Sequence, residues 1–202
     1  MAEIRIIPQE EFLRIWTASI PKNNRLSIIA DMCRANTLAS IKKAGSGHLG
    51  SSLSSLDIVS FLYYSEMNTK NLGRDNPDRD IYFSSKGHDV PGYYSVLHSL
   101  GLLSQELLLN LRRLDGTCGH PDVSTPYVEA NSGSLGMGIS KAKGMAFTKQ
   151  FKGYGGRVIV MTGDGELQEG QNYEALETAV HQKLNNLIVI VERCKNLFIF
   201  SN

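Results

Sequence analysis

Three of the five histidines in this 202-residue chain stand in loops of small residues: His48 in Gly45-Ser46-Gly47-His48-Leu49-Gly50, His88 in Ser84-Ser85-Lys86-Gly87-His88, and His120 in Gly116-Thr117-Cys118-Gly119-His120-Pro121. An imidazole in such a loop can give and take protons near pH 7, so three in like settings point to a shared acid–base site. A three-histidine zinc site is the competing chemistry, but the spacing lacks a short pair such as H-x-x-x-H. His98 and His181 fall in helical patterns and read as structural or surface residues. A fourth candidate is Gly163-Asp164-Gly165, which follows the apolar run Arg157-Val158-Ile159-Val160-Met161. Glycines there let backbone approach a ligand, amides at a helix start favour a phosphate, and an aspartate beside them can hold a divalent cation. A plain Asp-Gly turn is the simpler alternative. Glu166 and Glu169 then read either as acid–base residues or as first-turn acids favoured by the helix dipole.

These residues need elements to position them. Leu26, Ile29, Met32, Cys33, Leu38 and Ile41 recur at helical spacing, and Lys42, Lys43 and Ala44-Gly45 form a C-terminal signal, so a helix ends near 44. The apolar stretch with Leu56, Val59, Phe61, Leu62 and Tyr63 suits a buried helix, and Asp80 to Ser84 reads as a short strand. Two short helical patterns lead to the loop at 116. Leu135, Ile139, Ala142 and Ala146 mark an amphipathic helix with a glycine-rich opening. The run 157–161 is a buried strand, Tyr173, Leu176, Val180 and Leu184 form a helical stripe, and Leu187 to Val191 is another buried strand. Strand, helix and strand make a βαβ unit, hence an α/β fold with a parallel sheet flanked by helices. Ligands in such sheets sit at the carboxyl ends of the strands.

Composition excludes several classes. With 21 Lys+Arg against 20 Asp+Glu the formal charge is +1, which speaks against nucleic-acid binding driven by phosphates. At 42% hydrophobic and 20% charged residues the chain can bury a core. No apolar run is long enough to span a membrane, and no secretory signal opens the chain, so a cytoplasmic location is expected. Cys33, Cys118 and Cys194 are widely spaced and read as reduced thiols. No repeat or linker divides the chain: residues 1–20 read as an N-terminal arm and 21–202 as one domain. Asn131-Ser132-Gly133-Ser134-Leu135-Gly136-Met137-Gly138 misses G-x-G-x-x-G and follows no strand, there is no G-x-x-x-x-G-K-[ST], and no G-x-S-x-G elbow follows a strand.

Together, Lys43-Ala44-Gly45-Ser46-Gly47-His48-Leu49-Gly50, Ser85-Lys86-Gly87-His88, Gly119-His120-Pro121-Asp122, Gly133-Ser134-Leu135-Gly136-Met137-Gly138 and Gly163-Asp164-Gly165-Glu166-Leu167-Gln168-Glu169-Gly170 resemble the transketolase family in order and spacing. The similarity covers about residues 10 to 195 and is closest to the N-terminal subunit of two-chain transketolases. It implies a thiamine diphosphate-binding fold, with the cofactor carrying the difficult carbon chemistry and the protein supplying position and charge. Asp164 resembles the family's aspartate ligand of Mg²⁺ or Ca²⁺. Gly165 is similar to the glycine packed on the diphosphate, and His88 to the histidine that contacts it. Gly133, Ser134 and Leu135 match the segment against the cofactor rings. His48 and His120 match histidines that face sugar hydroxyls and assist proton transfer, and Glu169 a glutamate at the subunit interface. The implied activity is transfer of a two-carbon ketol unit from a ketose phosphate to an aldose phosphate. Its implied partner, in a hetero-oligomer, is a C-terminal subunit with the pyrimidine-binding domain, which holds the glutamate that activates the cofactor. A lone chain is therefore expected to be inactive.

Two departures stand out. Where the family's second metal ligand is an asparagine, in a stretch like Val-Asp-Arg-Asn-Lys, this chain has Val191-Glu192-Arg193-Cys194-Lys195, a soft thiol in place of a hard amide oxygen. Asn196 matches a residue that ligates through its backbone carbonyl only. Leu197 to Asn202 departs from the family's polar loop, and related subunits continue further, so the expected fold is incomplete at its C-terminus. Competing readings are a truncated, non-catalytic remnant and a subunit of another thiamine diphosphate-dependent ketol-transfer enzyme.

Overall fold

The computed structural model describes residues 4–193. In chain order the elements are α1 (Gln9–Trp16), α2 (Lys22–Ala44), α3 (Leu49–Ser54), α4 (Leu56–Phe61), a π-helical turn (Leu62–Glu66), α5 (Thr69–Leu72), β1 (Ile81–Ser84), α6 (Val90–Ser99), α7 (Gln105–Leu109), α8 (Gly138–Lys152), β2 (Val158–Gly163), a 3₁₀ turn (Gly165–Gln168), α9 (Gly170–His181) and β3 (Leu187–Glu192). Helix α2 ends as its sequence dictates: Gly45 takes a left-handed φ of 76° and its N–H bonds to the Ile41 carbonyl at 2.9 Å.

The three strands form a parallel sheet in the order β1-β2-β3, with Ser84 opposite Met161 and Gly163 opposite Glu192. Alternating side chains of β1 and β2 feed two cores. Tyr82, Ile159 and Met161 face α2, α4 and α6 through Ile29, Cys33, Val59, Tyr93 and Leu97. Phe83, Val158 and Val160 face α8 and α9 through Ile139, Ala142, Ala146 and Ala175. Both faces of the centre strand are thus covered, as a parallel sheet demands. Within the segment read as an arm, α1 buries Phe12, and Asn36 of α2 accepts from Ile7 N–H at 2.7 Å and donates to its carbonyl at 2.9 Å.

Several details differ from the sequence reading. Helix α8 begins at Gly138, and Leu135 lies before it, because Gly136 adopts a φ of 84° that interrupts any earlier helical turn. In α9 the buried face is Asn172, Ala175 and Ala179, whereas Tyr173 and Val180 of the expected stripe are 60% and 78% exposed. Close packing of α9 on α8 selects the small side chains, so the larger apolar residues are left outside. Strand β3 is half-exposed, not buried: it lies at the end of the described sheet, and Ile188 and Val191 are open.

At the amino ends of the strands, Asp80 clamps β1 to β2. Its carboxylate accepts from Arg157 N–H at 2.7 Å, from the Arg157 guanidinium at 2.8 and 3.2 Å, and from Asn68 N–H at 3.2 Å. Burial pushes the Asp80 pKa up, but the hydrogen bonds and charge of Arg157 outweigh it and hold the carboxyl below its ordinary value. Asp80→Asn should therefore cost about 2–4 kcal/mol at pH 7 in denaturant unfolding. Because the folded-state pKa is depressed, this stabilisation is complete above the ordinary carboxylate value and is lost as pH falls through the folded-state value. The gap between wild type and variant should close on acidification.

Candidate functional site

The residues with chemical potential gather at the carboxyl ends of β1 and β2. Strand β1 ends at Ser84 and runs into Ser85–Asp89, while β2 reaches Gly163 and runs into Asp164–Glu169. What joins these loops is Glu166, only 3% exposed. Its Oε1 accepts from Gly136 N–H at 2.7 Å and from the Ser85 hydroxyl, and its Oε2 accepts from the Thr162 hydroxyl at 2.6 Å. Asn172 of α9 donates to the Glu166 carbonyl at 2.6 Å, and Ser85 Oγ accepts from Gly138 N–H at 3.0 Å. Glu166 is buried and hydrogen-bonded, not a solvated first-turn acid, and it lines the cleft described below. Its carboxylate ties the loops at 85 and 136 to the end of β2 at Thr162.

A second buried group is Lys86. Its ammonium donates to Glu192 Oε2 and lies 3.2 Å from Asp89 Oδ2, which also accepts from Ser84 Oγ at 2.8 Å. Desolvation lowers the Lys86 pKa, yet the charges of Asp89 and Glu192 prevail and leave it raised, so the lysine stays cationic. Among the described residues, Asp89 Oδ1 and Glu192 Oε1 are buried without hydrogen-bond partners. Sequence reasoning passed over Lys86, Asp89 and Glu192. The lysine did stand inside one of the quoted motifs, but its pairing with Glu192 spans 106 positions, and nothing local announces it.

The three loop histidines do come together. The ring of His48 lies 5.3 Å from that of His88 and 6.2 Å from that of His120, both edge-on. His88 Nδ1 sits 3.1 Å from the Lys86 carbonyl, which can only accept, so Nδ1 donates there and the contact orients the ring. Burial first, then the neighbouring His48, Arg112 and His88, hold the His120 pKa below the ordinary imidazole value, against a small opposing pull from Asp89. Two glycines fix this geometry. Gly87 has a φ of 72° and no room for a side chain, since a Cβ would lie 2.7 Å from Gly133 Cα. Gly133 has a φ of 124°, and a Cβ there would lie 2.7 Å from His120 Cδ2.

Beside the histidines a cleft of ≈ 320 Å³ opens, lined by Lys86, His88, Leu135, Gly163, Asp164, Gly165 and Glu192 together with Ser51 and Ser54. Asp164 accepts from Gly165 N–H at 3.0 Å, and its own N–H bonds to the Glu192 carbonyl at 3.1 Å, which seats it between the ends of β2 and β3. Of the other expected residues, Gly133 packs under His120, Ser134 is exposed, and Glu169 stands at the start of α9 with its Cβ against Gly136. None of these three lines the cleft. Cys194 and Asn196 lie outside the described residues. Among the described residues no group of three or more His, Cys, Asp and Glu is arranged to hold a metal ion. Cys33 and Cys118 are free thiols. A larger cavity of ≈ 660 Å³, lined by Arg74, Arg79, Ile81, Lys141, Met145 and Lys149, lies at the opposite end of β1, away from the strand ends where ligands bind in such sheets.

Glycine loops, clustered histidines and an aspartate thus gather at the carboxyl edge of a parallel sheet, the place where ligands bind in α/β folds. Comparison with known proteins names the family. A family profile described as "Transketolase, thiamine diphosphate binding domain" matches residues 26–196. The chain is 42% identical over 151 residues to a subunit of the apulose-4-phosphate transketolase of Actinobacillus succinogenes, covering 74% of this chain and 55% of that one. It is 37% identical over 177 residues to human transketolase, covering 85% of this chain and 28% of that protein. Transketolase from Leishmania mexicana superposes with a TM-score of 0.74 at 29% identity, over 88% of this chain and 29% of the other. The chain belongs to the transketolase thiamine diphosphate-binding family, and it spans about half or less of the relatives it matches.

Two outcomes check this geometry. Gly133→Ala should lose about 1–3 kcal/mol from backbone strain and shift the His120 ring resonances while leaving those of buried His98 in place. In a histidine NMR titration, His120 should have its midpoint below the ordinary imidazole value. His48→Ala should move that midpoint only part of the way up, because burial is the larger cause.

Proposed function

We propose that this chain is the diphosphate-binding half of a two-subunit transketolase, which moves a two-carbon ketol unit from a ketose phosphate to an aldose phosphate. The observation that carries the reading is the joint placement of Asp164, Gly165, His88 and Leu135 around one cleft beside the His48–His88–His120 cluster. The residues fit thiamine diphosphate. Gly165 leaves open space where a side chain would stand, Asp164 offers a hard oxygen, and the buried Lys86, paired with Asp89 and Glu192, stands in the wall. When bound, the cofactor supplies the carbanion chemistry of ketol transfer. Asp164 would hold Mg²⁺ or Ca²⁺ together with donors that follow β3, where the sequence expectation placed Cys194 and Asn196. Gly165 and His88 would meet the diphosphate, Gly133, Ser134 and Leu135 would face the rings, and His48 and His120 would exchange protons with sugar hydroxyls. Glu169 would contact a partner subunit carrying the pyrimidine-binding domain. In this reading residues 21–202 belong to the cofactor domain, residues 1–20 serve as an arm, and the protein works in the cytoplasm.

The relative named as one subunit of an apulose-4-phosphate transketolase supports both a divided enzyme and a second choice of substrate, a ketol transfer with another sugar phosphate. A substrate panel run with the partner present separates the two. The thiol at Cys194 favours a third reading, a chain that no longer binds the metal well. Calorimetry with thiamine diphosphate and Mg²⁺, on the chain with its partner, decides this. Binding should be saturable and metal-dependent, and Asp164→Ala should weaken it at least tenfold, whereas no heat of binding would overturn the cofactor reading. Cys194→Asn should tighten the metal-dependent binding severalfold. Ketol transfer by the purified chain alone would contradict the need for a partner.

A further inference from the structure

We propose that the ≈ 660 Å³ cavity at the amino end of β1 is a second binding site, for a small phosphate monoester with a flat apolar body such as a nucleoside monophosphate. It is independent of the cofactor reading, since none of its lining residues belongs to the histidine cluster or to the cleft beside it. Three observations carry it. First, the volume lies in the range of about 300–1,000 Å³ that small-molecule sites occupy. Part of that space is opened by Gly144, in the middle of α8. Glycine inside a helix is destabilising, and close approach of another element is the usual packing reason for it. At Gly144 an added Cβ would meet nothing within 4 Å, so no close contact requires the glycine, and the missing side chain leaves the wall open.

Second, the charge is one-sided. Arg74, Arg79, Lys141 and Lys149 line the cavity, and among the described residues Asp75 is the one carboxylate in its wall. Arg79 is paired with Glu129 at 2.8 Å, but the two lysines are held by neutral groups. The buried Lys149 donates to the carbonyls of Pro77, Arg79 and Gly155, and Lys141 donates to the Asn131 carbonyl at 2.5 Å. Such bonds fix the ammonium groups in place without cancelling their charge. Lys141 spends one of its three donors this way, which leaves two for an anion. Third, Pro77, Ile81, Met145 and the Tyr154 ring make the remaining wall apolar. An adaptable thioether and an aromatic face suit a flat ring, and the cations suit a phosphate. A bare inorganic anion would leave the apolar wall unused, and a neutral ring would leave the cations unmet.

The test follows the methionine methyl resonances of the 202-residue chain by NMR as adenosine monophosphate is added. The Met145 methyl should shift saturably, while buried Met161 and the ring of His88, which lines the other cleft, stay in place. Adenosine and inorganic phosphate should each bind at least tenfold more weakly than the monophosphate. Gly144→Leu should abolish the Met145 shift, because the new side chain enters the open space; leucine is also the better helix former, so the fold is not put at risk. Lys141→Gln should weaken binding severalfold. No shift at Met145 in wild type, unchanged affinity in Gly144→Leu, or equal affinity for adenosine and its monophosphate would overturn the proposal. A shift at His88 in place of Met145 would put the nucleotide at the other edge of the sheet and would overturn it as well. Failure of the cofactor reading would show instead in the calorimetry with thiamine diphosphate, which this titration does not contain.

Discussion

The buried carboxylate of Glu166 is the interaction on which the rest of the site depends. A carboxylate without solvent must have its lone pairs met, and here an amide and two hydroxyls from two loops and the end of β2 meet them. The consequence is mechanical. Ser85 precedes Lys86 and His88, Gly136 closes the glycine segment that begins under His120, and Thr162 precedes Asp164, so one side chain sets the relative positions of all three walls of the cleft. The cost of leaving such a charge unpaired also makes the arrangement all-or-none, as a partly satisfied buried network is worse than none.

Around this point the sheet works as a rigid mount. Strand β2 is covered on both faces, and its register against β1 and β3 sets Ser84, Gly163 and Glu192 at one edge. Lys86, confined between Asp89 and Glu192, keeps positive charge in a place where an isolated ammonium would be expelled. Two carboxylate oxygens of this group, Asp89 Oδ1 and Glu192 Oε1, are buried without a hydrogen-bond partner among the described residues.

Much of the fold was legible in the sequence, because its signals are local. The end of α2 at Gly45, the runs that became β1, β2 and β3, and the parallel βαβ unit all follow from residue type and spacing within one element. The gathering of His48, His88 and His120 was legible because each stood in a glycine loop next to an element end. What escaped depends on pairs far apart in sequence. Ser85 and Glu166 are 81 positions apart, and no local pattern separates a buried strut from a solvated first-turn acid. The α9 stripe was misjudged for a related reason, since tight packing against α8 rewards Ala175 and Ala179 over the larger Tyr173 and Val180. Hydropathy favours the large residues, and close approach favours the small ones.

The most direct measurement of the central claim is amide hydrogen exchange in Glu166→Ala, which removes the oxygens that accept from Gly136 N–H and from the Ser85 and Thr162 hydroxyls. The account predicts that Gly136 N–H loses its protection while the amides of Ile159 and Val160 in β2 keep theirs. Gly136 exchanging as slowly in the variant as in wild type would contradict it, and the two loops and the end of β2 would then owe their arrangement to something other than this carboxylate.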